Sequence, residues 1–233
     1  MKIGFSTGDL FETDFPLQKA LDNLRSIGAN AIELKVGFEY EKFLREIDNL
    51  DFSGFEIISI HGPKFSRDRN VIPKDVIDAI SRINEKISLD WVVFHPDEIS
   101  DWEMLKDCNF NVAIENNDWR KKIGKNVEDL EEIFSKNDIK FILDVNHCFT
   151  NDKSMQLAEK MATSFHSRLC GVHLSGFETE ARDHEPMYLT KQKEILAAVP
   201  KNLPIIIESF RSAYKDLNEA KKELQYILEN LNK

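Results

Sequence analysis

Six short apolar runs in this chain each end on a side chain that can bind a metal ion. In chain order these residues are His61, His95, Glu115, Asp144, His173 and Glu208. Imidazole and carboxylate groups are donors that divalent transition metals bind in catalytic sites. One charged residue after a strand is ordinary loop polarity, but loop polarity alone would supply Lys, Ser and Asn as readily. The recurrence therefore predicts that these side chains converge on one metal-binding pocket.

Further residues extend this ligand set. Glu33 lies in the second apolar run, and Asp144-Val-Asn-His147 places an imidazole one turn beyond a carboxylate. Asp183 and His184 lie together in the longest loop that follows a strand. This donor set suits Zn²⁺, Mn²⁺, Co²⁺ or Fe²⁺ better than Ca²⁺, and Mg²⁺ is a further candidate. We expect one to three ions per chain.

The ligands fall into three groups along the chain. The residues expected to close around one ion are Glu115, Asp144, His173 and Glu208. His61 and His95 would hold a second ion, with Glu115 bridging, and His147 and His184 would hold a third. No thiolate is among these ligands and positions would remain open for water, which indicates a catalytic site. A metal-stabilised scaffold without activity is the weaker hypothesis, because a structural site needs fewer inward ligands.

The elements that must position these residues alternate regularly. Strands are predicted near 2–6, 30–34, 55–61, 90–95, 110–115, 139–144, 169–174 and 203–208. Helical spacing of apolar residues predicts helices at 16–26, 40–49, 73–88, 101–106, 126–136, 153–164, 190–199 and 214–231. Eight such pairs, with strands rich in Ile, Val and Phe, predict a single α/β domain over 1–233, a (β/α)8 TIM barrel. An open doubly wound sheet is the rival, but FSTGDLFETD after the first strand lacks its glycine-rich phosphate loop.

Composition limits the class of protein. The chain has 233 residues, a hydrophobic fraction of 42% and a formal net charge of −10. No stretch approaches the length of a membrane span, and MKIGFSTG has no signal-peptide pattern, so we expect a cytoplasmic protein without a membrane partner. The three cysteines, at no metal or redox spacing, suit reduced thiols. The acidic balance disfavours a broad nucleic-acid groove, and no feature indicates an oligomeric state.

The order of these ligands resembles the xylose isomerase-like TIM-barrel superfamily, which includes sugar isomerases, epimerases and endonuclease IV. The resemblance runs from KIGFSTG to PIIIESF and includes His95-Pro96 and Glu115-Asn116. It is specific for the superfamily and leaves two reactions open.

In the isomerase and epimerase branch, one ion is bound by a Glu, an Asp, a His and a second Glu. These ligands match Glu115, Asp144, His173 and Glu208 of this chain. The resemblance implies that Glu115 and Glu208 flank a sugar, sugar phosphate or related polyol and transfer its proton as base and acid. The expected substrate-binding residues are Glu33, His147, Trp119, Arg182 and Asp183. Phe38, Phe65 and Tyr188 are alternatives to Trp119 for an aromatic wall.

In the endonuclease IV branch, three zinc ions hydrolyse an abasic phosphodiester. All eight candidate ligands match the larger ligand set that holds those three ions. The one departure lies in the loop that contains His184, where that family has an Asp-x-His motif. Arg182 stands at the acidic position and Asp183 is directly beside His184. Basic residues at 64–70 and 120–122 could meet a phosphate of DNA or of a sugar. The short chain leaves little room for DNA-gripping loops, so a small sugar-like substrate is favoured and nucleic acid is the alternative.

Overall fold

Parallel strands close into a barrel in the computed structural model, which describes residues 1–8, 16–36, 40–63, 73–209 and 216–231. The strands are β1 (Ile3–Ser6), β2 (Ala31–Lys35), β3 (Ile57–His61), β4 (Trp91–Phe94), β5 (Val112–Glu115), β6 (Lys140–Asp144), β7 (Leu169–Leu174) and β8 (Ile205–Ile207). Each strand pairs with its neighbour in the sequence, and β1 closes the ring on β8. The predicted (β/α)8 barrel and its eight strands are confirmed.

Alternation along the strands separates the inside of the barrel from the outside. The apolar interior is formed by Ala31, Ile57, Trp91, Val93, Ala113, Ile142 and Ile206. His95, Glu115, Asp144 and Glu208 stand two residues beyond Val93, Ala113, Ile142 and Ile206 of this set, so they project inward above the apolar layer. Gly4 is required by close packing, because a Cβ there would lie 1.6 Å from the carbonyl oxygen of Ala31.

Helices and turns cover the outside of the barrel. The α-helices are α1 (Leu17–Ser26), α2 (Tyr40–Glu46), α3 (Pro73–Ile87), α4 (Val127–Lys136), α5 (Val145–Asn151), α6 (Gln156–Ser164), α7 (Met187–Thr190), α8 (Lys193–Ala197) and α9 (Leu217–Asn230). None of the described helices has the length and apolar character needed to cross a membrane. Their inner faces and the outer faces of the strands form a larger apolar core.

Two helical predictions differ from the structure. The segment 101–106 is not the predicted helix, because the crossover from β4 to β5 contains only 3-10 turns, at Pro96–Glu98 and Trp102–Leu105. The apolar spacing also did not predict α5, which begins directly after Asp144. The carboxylate of Asp144 caps this helix by accepting a hydrogen bond from the backbone N–H of His147 at 2.7 Å.

Candidate metal centre

The C-terminal ends of the strands bring six predicted ligands together in the mouth of the barrel. One group contains His61, His95 and Glu115, and a second contains Glu115, Asp144, His173 and Glu208. Within each group the possible ligand atoms all lie within 4.8 Å of one another, and every residue is buried. Glu115 belongs to both groups, which is the bridging position expected for it.

Glu115 turns one carboxylate oxygen toward each group. Its Oε1 lies 2.9 Å from Nε2 of His95 and 3.3 Å from Nε2 of His61. Its Oε2 lies 2.9 Å from Nδ1 of His173, and the same nitrogen is 3.4 Å from Oε2 of Glu208. The two groups are therefore continuous through a single carboxylate.

Hydrogen bonds behind the rings determine which nitrogen each histidine presents. Nδ1 of His61 donates to the carbonyl oxygen of Gly62 at 2.9 Å. Nδ1 of His95 donates to Oδ1 of Asn117 at 3.0 Å, because the amide nitrogen of Asn117 already donates to Asp97 and to the backbone. These bonds leave Nε2 of both rings as the nitrogen that can bind a metal ion.

Glu33 forms the floor beneath His173. The carboxylate is fully buried, accepts a hydrogen bond from Ser59 Oγ at 2.9 Å, and lies 3.4 Å from Nε1 of Trp91. Nε2 of His173 is 3.2 Å from its Oε1. The structure thus places the fully buried Glu33 carboxylate in contact with the ring of His173.

Burial and neighbouring charges shift the pKa values of the candidate ligands in different directions. Burial would lower the pKa of His173, but Glu208, Glu33 and Glu115 raise it well above its usual value. Burial would raise the pKa of Glu115, but the neighbouring histidines, His95 first, hold it well below its usual value. Burial raises the pKa of Asp144 to about 7, with the charges of Glu115 and Glu208 adding to the rise against His147.

Asp144 provides the test of whether a cation fits. Its Oδ2 is buried and accepts no hydrogen bond, although Nδ1 of His147 lies 3.4 Å away. A buried carboxylate oxygen without a donor is unfavourable, and a coordinated cation removes that cost. Oxygen and imidazole donors in two adjacent groups suit divalent ions such as Zn²⁺ or Mn²⁺.

His147 and His184 lie beside the two groups. Their ring centroids are 5.5 Å apart and nearly perpendicular. Nδ1 of His147 donates to the carbonyl oxygen of Asn116 at 2.8 Å, and Nδ1 of His184 lies 3.0 Å from Ser175 Oγ. Within the described part of the chain, neither histidine joins a group of three candidate ligands. The predicted third ion therefore has no assembled site.

The remaining predicted substrate contacts are dispersed. Asp183 pairs with Arg120 at 2.5 Å, and Arg182 pairs with Glu178 and Glu185 within its own loop. Trp119 is 39% exposed on the loop after β5. The hydroxyl of Tyr188 contacts the carboxylate of Glu219 on α9. Phe38, Phe65 and the basic segment 64–70 lie outside the described residues.

Buried asparagines support the site and were not predicted to do so. Asn116 bonds to both backbone groups of Asp144, and Asn117 orients His95. Asn146 donates to the carbonyl oxygens of Gly176 and Asp183, which fixes the loop after β7. Their position in the sequence could have indicated this role, because Asn116 and Asn117 directly follow the candidate ligand Glu115 at the end of an apolar run.

Comparison with solved structures identifies the fold. D-allulose 3-epimerase from Methylomonas sp., solved with D-allulose, is 14% identical with a TM-score of 0.69, over 99% of this chain and 97% of that chain. Endonuclease IV from Thermus thermophilus is 14% identical with a TM-score of 0.68, over 100% and 99%. A xylose isomerase domain containing protein from Salmonella typhimurium is 13% identical with a TM-score of 0.66, over 100% and 97%.

These structures share the closed (β/α)8 barrel fold of this chain, which is the fold that the resemblance predicted. They include an epimerase and an endonuclease, so the fold alone does not distinguish the two reactions. No family model matches the chain, and no curated protein is similar to it in sequence.

Proposed function

We propose that this chain is a divalent-metal-dependent enzyme that isomerises or epimerises a sugar, sugar phosphate or related polyol. The observation that carries the proposal is the buried group of Glu115, Asp144, His173 and Glu208, which combines three carboxylates and one imidazole at the barrel mouth. These four residues would hold the principal ion. When bound, such an ion polarises a substrate oxygen and makes the neighbouring C–H more acidic.

Glu115 and Glu208 are the proposed proton-transferring residues. They come from β5 and from the end of β8, and both approach Nδ1 of His173, at 2.9 Å and 3.4 Å. Because they extend from separate strands toward one point, they can reach a substrate carbon from different directions. The ionised form of the Glu115 carboxylate is the form that would accept a proton from the substrate carbon.

The floor and walls of the pocket support a small substrate. Below the ligands the interior of the barrel is filled by Trp91, Val93 and other apolar side chains. An apolar layer of this kind would keep water away from the lower side of a bound substrate. The net charge of −10 also disfavours a polyanionic partner such as DNA.

Isotope exchange tests the proposal directly. The Zn²⁺-, Mn²⁺-, Co²⁺- or Mg²⁺-loaded protein is incubated in D2O with a panel of ketoses, aldoses and their phosphates. Deuterium should enter one substrate carbon, and Glu115→Gln or Glu208→Gln should abolish that incorporation in a folded protein. Glu132→Gln, an exposed change on α4, is the matched control. Incorporation that persists in both site variants would contradict the assignment.

Phosphodiester hydrolysis is the second candidate, favoured by the additional group of His61, His95 and Glu115. Two adjacent cations can stabilise the attacking and leaving oxygens of a phosphodiester. If this candidate is correct, the zinc-loaded protein nicks an abasic duplex, a chelator stops the nicking, and Zn²⁺ restores it. Failure to nick at micromolar metal-loaded protein would exclude this candidate.

A further inference from the structure

We infer that Arg120 keeps the His147–His184 pair from assembling a metal site by engaging the two aspartates beside it, Asp118 and Asp183. The chain would then bind no more than two divalent ions, one at each of its two complete groups. The inference rests on metal binding at those groups, which is part of the proposed function, but not on the reaction proposed there.

Arg120 joins two loops at the mouth of the barrel. Its Nε and Nη2 bind the two carboxylate oxygens of Asp118 at 3.1 Å and 2.6 Å, a bidentate contact within the loop after β5. The same Nη2 lies 2.5 Å from Oδ2 of Asp183, on the loop after β7. One guanidinium therefore neutralises carboxylates from both loops, with the geometry in which Arg binds carboxylates most strongly.

Hydrogen bonds around Asp183 hold its loop in place and oppose the release of its carboxylate from Arg120. The carbonyl oxygen of Asp183 accepts a hydrogen bond from Nδ2 of Asn146 at 2.6 Å, and Ser175 Oγ lies 3.0 Å from the ring of His184. The loop at residues 183 and 184 is thus held by these two contacts as well as by the ion pair between Asp183 and Arg120. Movement of the Asp183 carboxylate toward the histidines requires the ion pair to break.

The loop after β5 also places the second aspartate near the histidine pair. Nδ1 of His147 donates to the carbonyl oxygen of Asn116 at 2.8 Å, and the buried Asp118 follows two residues later. Two imidazoles and two carboxylates are a donor set that Zn²⁺ or Mn²⁺ binds.

Arg120 supplies the compensating charge that an ion would otherwise supply. A guanidinium stays protonated throughout the range in which proteins fold, so pH does not remove this competition. Binding of an ion would also leave the displaced guanidinium without its partly buried carboxylates.

Metal counting tests the inference without measuring catalysis. Stripped protein is reloaded with excess Zn²⁺, desalted, and analysed for zinc per chain by elemental mass spectrometry. We expect at most two ions in the wild type and one additional ion in Arg120→Ala. The double variant Arg120→Ala/His184→Ala should lose that extra ion. Lys121→Ala is the matched control, because Lys121 pairs with Asp97 and not with the aspartates beside the histidines.

Three ions in the wild type would overturn the inference, and so would a folded Arg120→Ala protein with no extra ion. If Arg120→Ala does not fold, the Asp183→Asn variant provides a second test. Because Asp183 is not a ligand in the wild type, Asp183→Asn should leave the zinc count unchanged, and a lower count would refute the inference. Absence of isotope exchange in a wild-type protein that binds two ions would instead reject the proposed reaction and leave the inference intact.

Discussion

Nε2 of His173 hydrogen-bonds to Oε2 of Glu33 at 3.3 Å, and this contact decides which ring nitrogen faces the other candidate ligands. Because Nε2–H donates downward to a fully buried carboxylate, Nδ1 faces Oε2 of Glu115. Ser59 and Trp91 hold Glu33 in place from neighbouring strands. Glu33 is therefore a positioning residue for His173, in the arrangement of carboxylate, histidine and metal found behind many metal ligands.

Glu33→Gln should weaken metal binding while preserving the barrel. The neutral amide is a poorer acceptor for Nε2–H, so the ring is less well oriented and less basic. Loss of such a supporting residue typically lowers metal affinity by about 10–100-fold. Competition with a chromophoric zinc chelator measures the change. Trp91→Phe removes the 3.4 Å contact of Trp91 Nε1 with Glu33 and leaves the Glu33 carboxylate in place, so it should alter affinity much less. Equal affinity in Glu33→Gln and wild type would refute the role.

His61 and His95 should account for one ion of their own. Their rings are adjacent, with centroids 5.1 Å apart, and both approach the same oxygen of Glu115. The double variant His61→Ala/His95→Ala should lose one zinc per chain and retain the ion held by the other group. His166→Ala, which changes an exposed histidine, is the control. An unchanged zinc count in the double variant would show that this group is not a metal site.

The sequence predicted the barrel and the six converging ligands because both follow from periodicity. Each ligand ends an apolar run, and parallel pairing then brings the strand ends to one face. Inward alternation placed Glu115 and Asp144 correctly without any knowledge of side-chain contacts. The helix predicted at 101–106 was wrong because Trp102, Met104 and Leu105 have an apolar spacing that a short 3-10 turn satisfies equally well.

The outer residues could not be predicted because their positions depend on long-range ion pairs. Asp183 is next to His184 in the sequence, yet Arg120, from a different loop, binds its carboxylate. Arg182 was predicted to bind substrate, but its guanidinium is neutralised by Glu178 and Glu185 nearby in its own loop. Neither ion pair produces a periodic pattern in the sequence, because surface loops have no repeating register.

Glu223 should make the fold less stable as pH rises. Burial raises its pKa to about 7, against hydrogen bonds from the backbone of Met187 and from Ser209. In the unfolded chain its pKa is near the ordinary 4.5, so between these values only the unfolded state has released the proton. Stability is therefore fully present below pH 4.5 and falls as pH rises through 7.

Glu223→Gln should remove this part of the pH dependence. Urea unfolding in the presence of a chelator, at about pH 5 and about pH 8, gives the free energy of unfolding for both proteins. The wild type should lose about 2 kcal/mol more than the variant between the two pH values. The buried histidines and carboxylates of the metal centre titrate in both proteins, so their contribution cancels in this comparison. Identical losses would show that Glu223 titrates normally.

Asn116 should prove essential to both stability and metal binding, because it connects the ends of β5 and β6. Its Nδ2 donates to the carbonyl oxygen of Asp144 at 2.9 Å, and its Oδ1 accepts from the Asp144 N–H at 2.8 Å. Asn116 is fully buried, so Asn116→Ala leaves both backbone groups without a partner in a site that excludes water.

Each of the two unpaired buried groups costs about 1–3 kcal/mol, so Asn116→Ala should lower the free energy of unfolding by about 2–6 kcal/mol. Asp144 is itself a candidate ligand, so zinc affinity should fall as well. Asn109→Ala is the matched control, because the Asn109 amide bonds to the Ser81 carbonyl oxygen at the surface and its loss should cost less than about 0.5 kcal/mol. Urea unfolding without metal and zinc competition measure the two effects separately. If Asn116→Ala matched Asn109→Ala in stability, the connection between the two strand ends would contribute nothing.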